Sequence, residues 1–135
     1  VNMVDTDGYT PLHNAVDERN QRMVDFLIKC GADVNAKAPG GITALHWAVL
    51  NNTRDIALAI LDHGGDVNPV DTYGNTPLHN AASKGHQDLV ELLISRGADV
   101  NVVDGRGFTP LDEATRREHI ETADLLRKRM AGKQP

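Results

Sequence analysis

The sequence TPLHNA occurs at residues 10–15 and again, unchanged, at residues 76–81. Related segments, TALH at 43–46 and TPLD at 109–112, keep the same register, so the four starts are each 33 residues apart. A fixed period of this size indicates a chain built from repeated structural units. One such unit cannot bury its own apolar face, but stacked neighbours can cover it. The register is therefore constant because each unit presents the same surfaces to the next.

Each unit is predicted to contain two short helices separated by turns. The Thr that opens each segment suits a helix N-cap, since its hydroxyl can accept from a free amide of the first turn. Proline follows in three of the four copies, where its missing N–H costs nothing. A second apolar helix is expected to end at Gly31, Gly64 and Gly97, which suit the left-handed position after a helix.

The predicted fold is an all-α repeat solenoid of stacked helix–turn–helix units with projecting hairpin or turn tips. We expect one domain over residues 1–132, with a tail at 133–135. Its repeats, here called units 1 to 4, are placed at about 5–37, 38–70, 71–103 and 104–132. Three units open on Asp-x-x-Gly, but residues 38–41 read Ala-Pro-Gly-Gly, so the second tip is expected to have its own shape.

Composition argues against several classes of function. A net charge of −5 disfavours nucleic-acid binding, which needs a basic surface. No stretch approaches the ~20 apolar residues of a membrane span, and no phosphate-binding, dinucleotide-binding or nucleophile motif is present. We therefore expect no cofactor, no metal, no small-molecule substrate and no membrane partner. The lone Cys30 fits a reducing compartment and hence an intracellular location, cytoplasmic or nuclear.

His13, His46 and His79 recur at the repeat spacing. Equivalent residues of stacked helix pairs lie ~10 Å apart, whereas zinc ligands lie ~2 Å from the metal, so these three cannot share one ion. We predict instead that each histidine forms hydrogen bonds across the tip and helix of its own unit.

The pattern D-x-x-G-x-T-P-L-H-x-A-A, followed by G-H-x-x-x-V-x-x-L-L-x-x-G-A-D-V-N, resembles the ankyrin repeat. The resemblance covers residues 1 to about 130, and the third copy, 71–101, is nearly consensus. It implies a curved stack of antiparallel helix pairs with a concave groove, a function in binding another protein or peptide segment, and no catalysis. The chain is expected to be monomeric. The alternatives are an engineered ankyrin-type binder and a regulatory or targeting segment of a larger enzyme.

Some positions of each unit are not fixed by the repeat, and the resemblance places them along the groove. On the first helices these positions run acidic, apolar, mixed and basic from unit 1 to unit 4. Aromatic side chains, which are typical interface anchors, fall in or beside the set; the alternative for Trp47 and Phe108 is packing between units. The candidate partner-binding residues are Asp7, Tyr9, Asp17, Glu18, Ile42, Trp47, Leu50, Asn51, Tyr73, Asn75, Lys84, Arg106, Phe108, Arg116 and Arg117.

The Asn of G-A-D-V-N carries a second expectation from the resemblance. In ankyrin repeats it can be hydroxylated by an iron- and oxoglutarate-dependent asparaginyl hydroxylase that favours a Leu eight residues upstream. Asn35 and Asn101 meet that pattern, whereas Asn68 has Ile60 at the upstream position. The alternative is that these Asn side chains serve their turns.

The two ends of the repeat array are expected to differ. Thr122 and Arg127 stand where other units carry apolar residues, which is typical of a terminal cap. Unit 1 keeps Val24, Phe26 and Ile28, which predicts an apolar end, so that either the natural chain extends upstream or something covers this end.

Overall fold

The structure, a computed structural model, describes residues 2–132. That part of the chain contains eight helices in four successive pairs; the predicted tail at 133–135 lies outside the described residues. Among residues 2–132, no helix combines the length and the apolar character needed to cross a bilayer. The helices are α1 Pro11–Asp17, α2 Gln21–Lys29, α3 Ala44–Leu50, α4 Arg54–Asp62, α5 Pro77–Lys84, α6 Gln87–Ser95, α7 Pro110–Arg116 and α8 Ile120–Gly132.

The first helix of each unit begins at the predicted Thr. Thr10, Thr43, Thr76 and Thr109 are extended N-caps, and each hydroxyl accepts from the amide three residues on. The third helical side chain returns a hydrogen bond to the Thr amide, which completes a capping box. Two orphan amides of each short helix are thereby satisfied, so these helices of seven or eight residues start at a fixed point.

The second helices of units 1 to 3 end as predicted. Gly31, Gly64 and Gly97 follow the last helical turn with φ of +93°, +90° and +95°. A side chain is disfavoured at such angles, and the glycine lets the chain reverse towards the next tip.

Small residues allow the first helices to pack closely. Ala15, Ala48, Ala81 and Ala114 are each at most 2% exposed and belong to one core that runs through all four units. Each first helix contacts its counterpart in the next unit as well as the second helix of its own. The core therefore links neighbouring units, as expected for a solenoid.

Thr122, one of the two residues predicted to form a polar terminal cap, is buried in the structure. Thr122 is 1% exposed, and its equivalents Ile56 and Leu89 are at most 2% exposed. The same position in unit 1, Met23, is 43% exposed, so this position is covered by the preceding unit. Thr122 is therefore buried rather than part of a polar outer face, and Arg127 alone of the pair lies at the surface.

The apolar surface of unit 1 also differs from the expectation. Val24 is fully buried and Ile28 is half-buried, whereas Phe26 is 59% exposed. Met23 and Phe26 therefore carry the exposed apolar surface of α2, and Val24 belongs to the core.

Candidate interaction surface

Each unit has a tip, the turn that precedes its first helix, at residues 5–9, 38–42, 71–75 and 104–108. In every tip the first amide donates to the last carbonyl, at 2.8–3.0 Å, for example from Asp71 to Asn75. In units 1, 3 and 4 the Asp carboxylate also accepts two amides of its own tip. The tips are thus closed from inside, and the side chains between the closing residues point to the surface or remain partly exposed.

The second tip keeps the closing bond but has a different turn, as predicted. Ala38 donates to Ile42 at 2.8 Å without any carboxylate to help. Pro39 and Gly40 occupy the centre, and Gly40 has φ of +85°, the positive value that the third residue of a type II turn requires. The equivalents of Gly40 in the other tips, Asp7, Tyr73 and Arg106, are not in this region.

The repeated histidines join each first helix to the following tip. His13 accepts the Thr10 amide at Nδ1, so its Nε2 carries the proton and donates to the Ile42 carbonyl at 3.0 Å. His46 and His79 repeat this arrangement with the Asn75 and Phe108 carbonyls, at 3.0 and 2.9 Å. The expectation that each histidine works within its own unit was therefore wrong for Nε2, because the stacking of the units places Nε2 against a carbonyl of the following tip.

Burial lowers the pKa of His13 and His46, and the carbonyl that accepts from Nε2 offsets only part of this effect. Both imidazoles are fully enclosed, with exposures of 1% and 0%. They therefore act as neutral connectors between units.

Adjacent tips are also bonded directly, except at one junction. The Thr72 amide donates to the Gly40 carbonyl and the Gly105 amide donates to the Tyr73 carbonyl, both at 2.9 Å. The equivalent donor between tips 1 and 2 would be Pro39, which has no amide hydrogen. Tips 2, 3 and 4 thus form a bonded row that tip 1 does not join in this way.

An aromatic group occupies the junction of units 1 and 2. The rings of Tyr9 and Trp47 are 5.1 Å apart, and each lies near the imidazole of His13, at 6.1 and 5.9 Å. Tyr9 and Trp47 are both half-buried, so they pack between units and still contribute to the surface. Trp47 thus packs between units, as one interpretation expected, and its role as an interface anchor stays a prediction. Ile42 is half-buried beside them, and Leu50 is 36% exposed.

Unit 4 holds a charged group that the sequence analysis missed. The carboxylate of Glu113 is 3% exposed and pairs with the guanidinium of Arg106. Arg116 and Arg117 lie 3.6 and 3.9 Å from the same carboxylate. Arg106 also pairs with Asp104 at 3.1 Å. The signal was available, because Arg116 and Arg117 follow Glu113 at helical i+3 and i+4 spacing.

Two of these arginines also cover Phe108. The guanidinium carbons of Arg106 and Arg116 lie 4.9 and 5.0 Å from its ring centroid, which is cation–π distance. Burial raises the pKa of the Asp104 carboxyl, but the Phe108 and Arg106 amides and the Arg106 guanidinium outweigh it, and its pKa is lowered. Asp104 and Glu113 are therefore the carboxylate counter-ions that lie beneath the arginines.

The remaining candidates lie on the surface with fewer contacts. Asp7, Asp17, Glu18 and Lys84 are exposed, and Tyr73 is 77% exposed. The Asn51 side chain donates to the Val16 carbonyl of the preceding unit at 3.4 Å, so it also serves the junction. An open cavity of about 790 Å³ lies between tips 3 and 4, lined by Tyr73, Asn75 and Arg106 among others. Every member of the predicted set is thus at least partly accessible.

Two of the three repeated asparagines connect units. The Asn35 side chain accepts from the Asp66 amide at 2.7 Å and donates to the Gly64 carbonyl at 3.1 Å. Asn68 makes the equivalent pair of bonds with unit 3. For Asn101 no side-chain hydrogen bond occurs among the residues that the structure describes, because unit 4 has no following loop in that range.

Comparison with known protein families gives matches along nearly the whole chain. A family model described as ankyrin repeats in three copies matches residues 37–104 and 64–134, and a single ankyrin repeat model matches residues 7–39. No curated protein matches the chain.

Proposed function

Because the chain belongs to the ankyrin repeat family, whose domains are generally protein-interaction modules, we propose that it binds a partner protein or peptide along the surface formed by the tips and the first helices. The domain proposed for this task is the whole of residues 1–132, with its four repeats acting together. The partner is a protein segment and not a nucleic acid or small substrate. Ankyrin repeat domains are typically non-catalytic, and the proposal assigns no reaction to this chain.

One observation carries the proposal: exposed side chains that differ from unit to unit are mounted on a backbone held from several sides. Tyr73 is 77% exposed, yet its amide is bound by Asp71 and its carbonyl by Gly105. Ile42 and Phe108 likewise have their carbonyls fixed by histidines of the preceding units. A surface that is already ordered loses little conformational entropy when it binds, which favours affinity.

The proposal is tested with side-chain truncations on this surface. A random 16-residue peptide library is displayed on phage and selected against the full chain. Peptides selected by the native chain should bind at least tenfold more weakly to the variants Tyr73→Ala and Leu50→Ala, since truncating a central anchor costs about 2 kcal/mol. Thermal melting should change little for Tyr73→Ala, because that side chain is 77% exposed, and modestly for Leu50→Ala, because Leu50 is 36% exposed.

A matched aromatic control separates this surface from the outer helices. Phe26 is 59% exposed on α2, away from the tips, so Phe26→Ala should leave peptide binding unchanged. If Phe26→Ala abolishes binding while Tyr73→Ala and Leu50→Ala do not, the partner binds the outer helices and the proposed surface is wrong.

The hydroxylation expected at Asn35 and Asn101 should favour one of these two sites over the other. Asn35 uses both ends of its side-chain amide to hold unit 2, whereas Asn101 is exposed without such bonds among residues 2–132. We expect an asparaginyl hydroxylase to modify Asn101 before Asn35, as read by mass spectrometry of peptides during incubation. Faster modification of Asn35 would show that the inter-unit bonds do not protect it.

A further inference from the structure

We propose that the arginines of unit 4 bind a carboxylate side chain of the partner protein. This inference rests on the proposed function, since it assigns the chemistry of the segment that lies over one end of the surface. The arginine cluster is defined as Arg106, Arg116 and Arg117 around the buried Glu113. The partner segment therefore carries Asp or Glu where it passes unit 4.

The charge count leaves the cluster cationic. All three guanidiniums lie at Glu113, and Arg106 also pairs with Asp104, so three positive charges meet two negative ones. The two carboxylates are almost completely covered, with side-chain exposures of 3% and 1%. The arginines are 43–55% exposed. Solvent and a partner therefore meet the cationic groups, while the anions lie beneath them.

The arginines are also held in position. Arg106 is fixed by Asp104, by Glu113 and by the face of Phe108. Arg116 lies over the same ring and near the same carboxylate. A guanidinium has five N–H donors, and the contacts beneath it leave others directed outward. Holding long side chains in place removes the entropy loss that weakens most exposed ion pairs.

Phe108 contributes to this site differently from a simple apolar anchor. Its ring is half-buried and covered by two guanidiniums, so a partner meets arginine before it meets the ring. The nearest open aromatic surface is Tyr73, which lines the cavity between tips 3 and 4 together with Arg106. An acidic residue followed closely by an apolar one fits this arrangement, with the carboxylate on the arginines and the apolar side chain on Tyr73.

The test uses the peptides acetyl-hexaglutamate-amide and acetyl-hexalysine-amide with the ¹⁵N-labelled full chain. Hexaglutamate should shift the arginine Nε–H signals of the cluster and the Phe108 amide, because guanidiniums bind carboxylates through paired hydrogen bonds. Hexalysine should leave those signals in place. Shifts that are the same for both peptides, or that avoid unit 4, would overturn the inference.

Variants then separate a positioned cluster from general charge. Arg116→Gln should weaken hexaglutamate binding about fivefold, the equivalent of one well-formed exposed ion pair. Arg127→Gln removes the same charge from α8, where Arg127 pairs with Asp124, and should have no effect. Arg116→Lys keeps the charge but not the paired donors, so full binding by this variant would overturn the inference. Arg117→Gln, which removes the longest of the three contacts to Glu113, replaces Arg116→Gln if the latter fails to fold.

The two proposals fail in different ways. Library peptides that depend on Tyr73 and Leu50 but lack acidic residues would refute the carboxylate assignment and leave the surface standing. Hexaglutamate bound at unit 4, together with library peptides indifferent to Tyr73 and Leu50, would refute the surface and leave the arginine site standing.

Discussion

Between units 3 and 4 the Gly105 amide donates to the Tyr73 carbonyl, whereas between units 1 and 2 the equivalent residue is Pro39, which has no amide hydrogen. Side-chain bonds add to this difference between the two junctions. Units 3 and 4 are further joined by His119 to the Ser83 carbonyl, at 2.9 Å, and by an exposed ion pair between Arg129 and Glu91. Units 1 and 2 rely on the His13 bond, the Asn35 and Asn51 bonds and the Tyr9–Trp47 contact.

The comparison separates what a repeat must keep from what it can vary. The bond from a buried histidine to the following tip is present at all three junctions, while the tip-to-tip bond and the surface pairs are not. The helices therefore stack in the same way along the chain, but tip 1 is the least restrained. We expect its amides to exchange with solvent sooner than those of tip 4.

The largest effect is expected from removing a connecting histidine. His46→Ala removes the acceptor of the Thr43 amide and one of the two donors to the Asn75 carbonyl, and it creates a cavity, so unfolding should require roughly 2–4 kcal/mol less free energy. The control is Asp112→Ala in unit 4, which loses a cap bond to Thr109 but no link to another unit and should cost ~1 kcal/mol. Urea unfolding measures both. Equal losses would show that the inter-unit bond adds nothing to the cap.

The second-largest effect is expected from acid, which should weaken the bonds from His13 and His46 to the following tips. The pKa values of His13 and His46 are lowered in the folded chain, chiefly by burial, so the unfolded chain binds more protons. Their contribution is complete above the unfolded pKa of about 6.5 and is lost as pH falls below it, by up to ~1.4 kcal/mol per pH unit for each group.

Unfolding in urea at pH 5 to 8 measures this loss. The double variant His13→Gln and His46→Gln should have a flatter pH dependence between pH 5 and 6.5 than the native chain. An unchanged slope would mean that other groups carry the acid sensitivity.

Replacing the irregular tip of unit 2 with a copy of tip 3 is expected to stabilise the chain and tests the difference between the junctions. The triple change Ala38→Asp, Pro39→Thr and Gly40→Tyr copies tip 3, adding a carboxylate for two tip amides and an N–H towards the Asp7 carbonyl. We expect about 1 kcal/mol of added stability, the net value of one or two hydrogen bonds. The amide that the graft introduces at position 39 should be protected from hydrogen exchange. A less stable graft would show that the type II turn at Pro39 and Gly40 already suits its neighbours better.

The smallest effect concerns the turn between the two helices of a unit. Gly85 occupies the left-handed region in unit 3, while Arg19 and Glu118 adopt it with φ of +56° and +61°. Arg19→Gly and Glu118→Gly should each raise stability by ~0.5–1 kcal/mol, since this conformation strains residues with a side chain. Asn52→Gly should gain less, because Asn tolerates the region. Thermal melts of the three variants provide the check, and a gain at Asn52 as large as at Arg19 would contradict the strain argument.

Local features of the fold could be predicted from the sequence because they depend on neighbouring residues. Thr43 caps α3 and Gly31 reverses the chain after α2, as their residue types require. Contacts between units were harder to predict. The spacing of the histidines gave their positions, but the acceptor for Nε2 lies 29 residues ahead and depends on how the units stack. Thr122 was misplaced for the same reason, because its cover comes from the preceding unit.

The candidate surface was predicted as a set of positions rather than as a set of interactions. The variability of the tips and first helices is visible in the sequence, and the aromatic pair of Tyr9 and Trp47 could be expected only as two separate residues. Glu113 was missed because the charges of unit 4 were counted by sign along the groove. The buried Glu113 carboxylate holds the exposed arginines in place, but it does not change the order of charges from unit 1 to unit 4.

The forward direction of the histidine bond sets an order for the growing chain on the ribosome. His13 leaves the exit tunnel 29 residues before the Ile42 carbonyl that it needs, and His46 and His79 wait as long for Asn75 and Phe108. At 5–20 residues per second the delay is roughly 1.5–6 s for each unit. Each of these three helix pairs thus remains incomplete until the next tip emerges, whereas Asp112 makes its cap bonds within unit 4 and does not depend on a later tip.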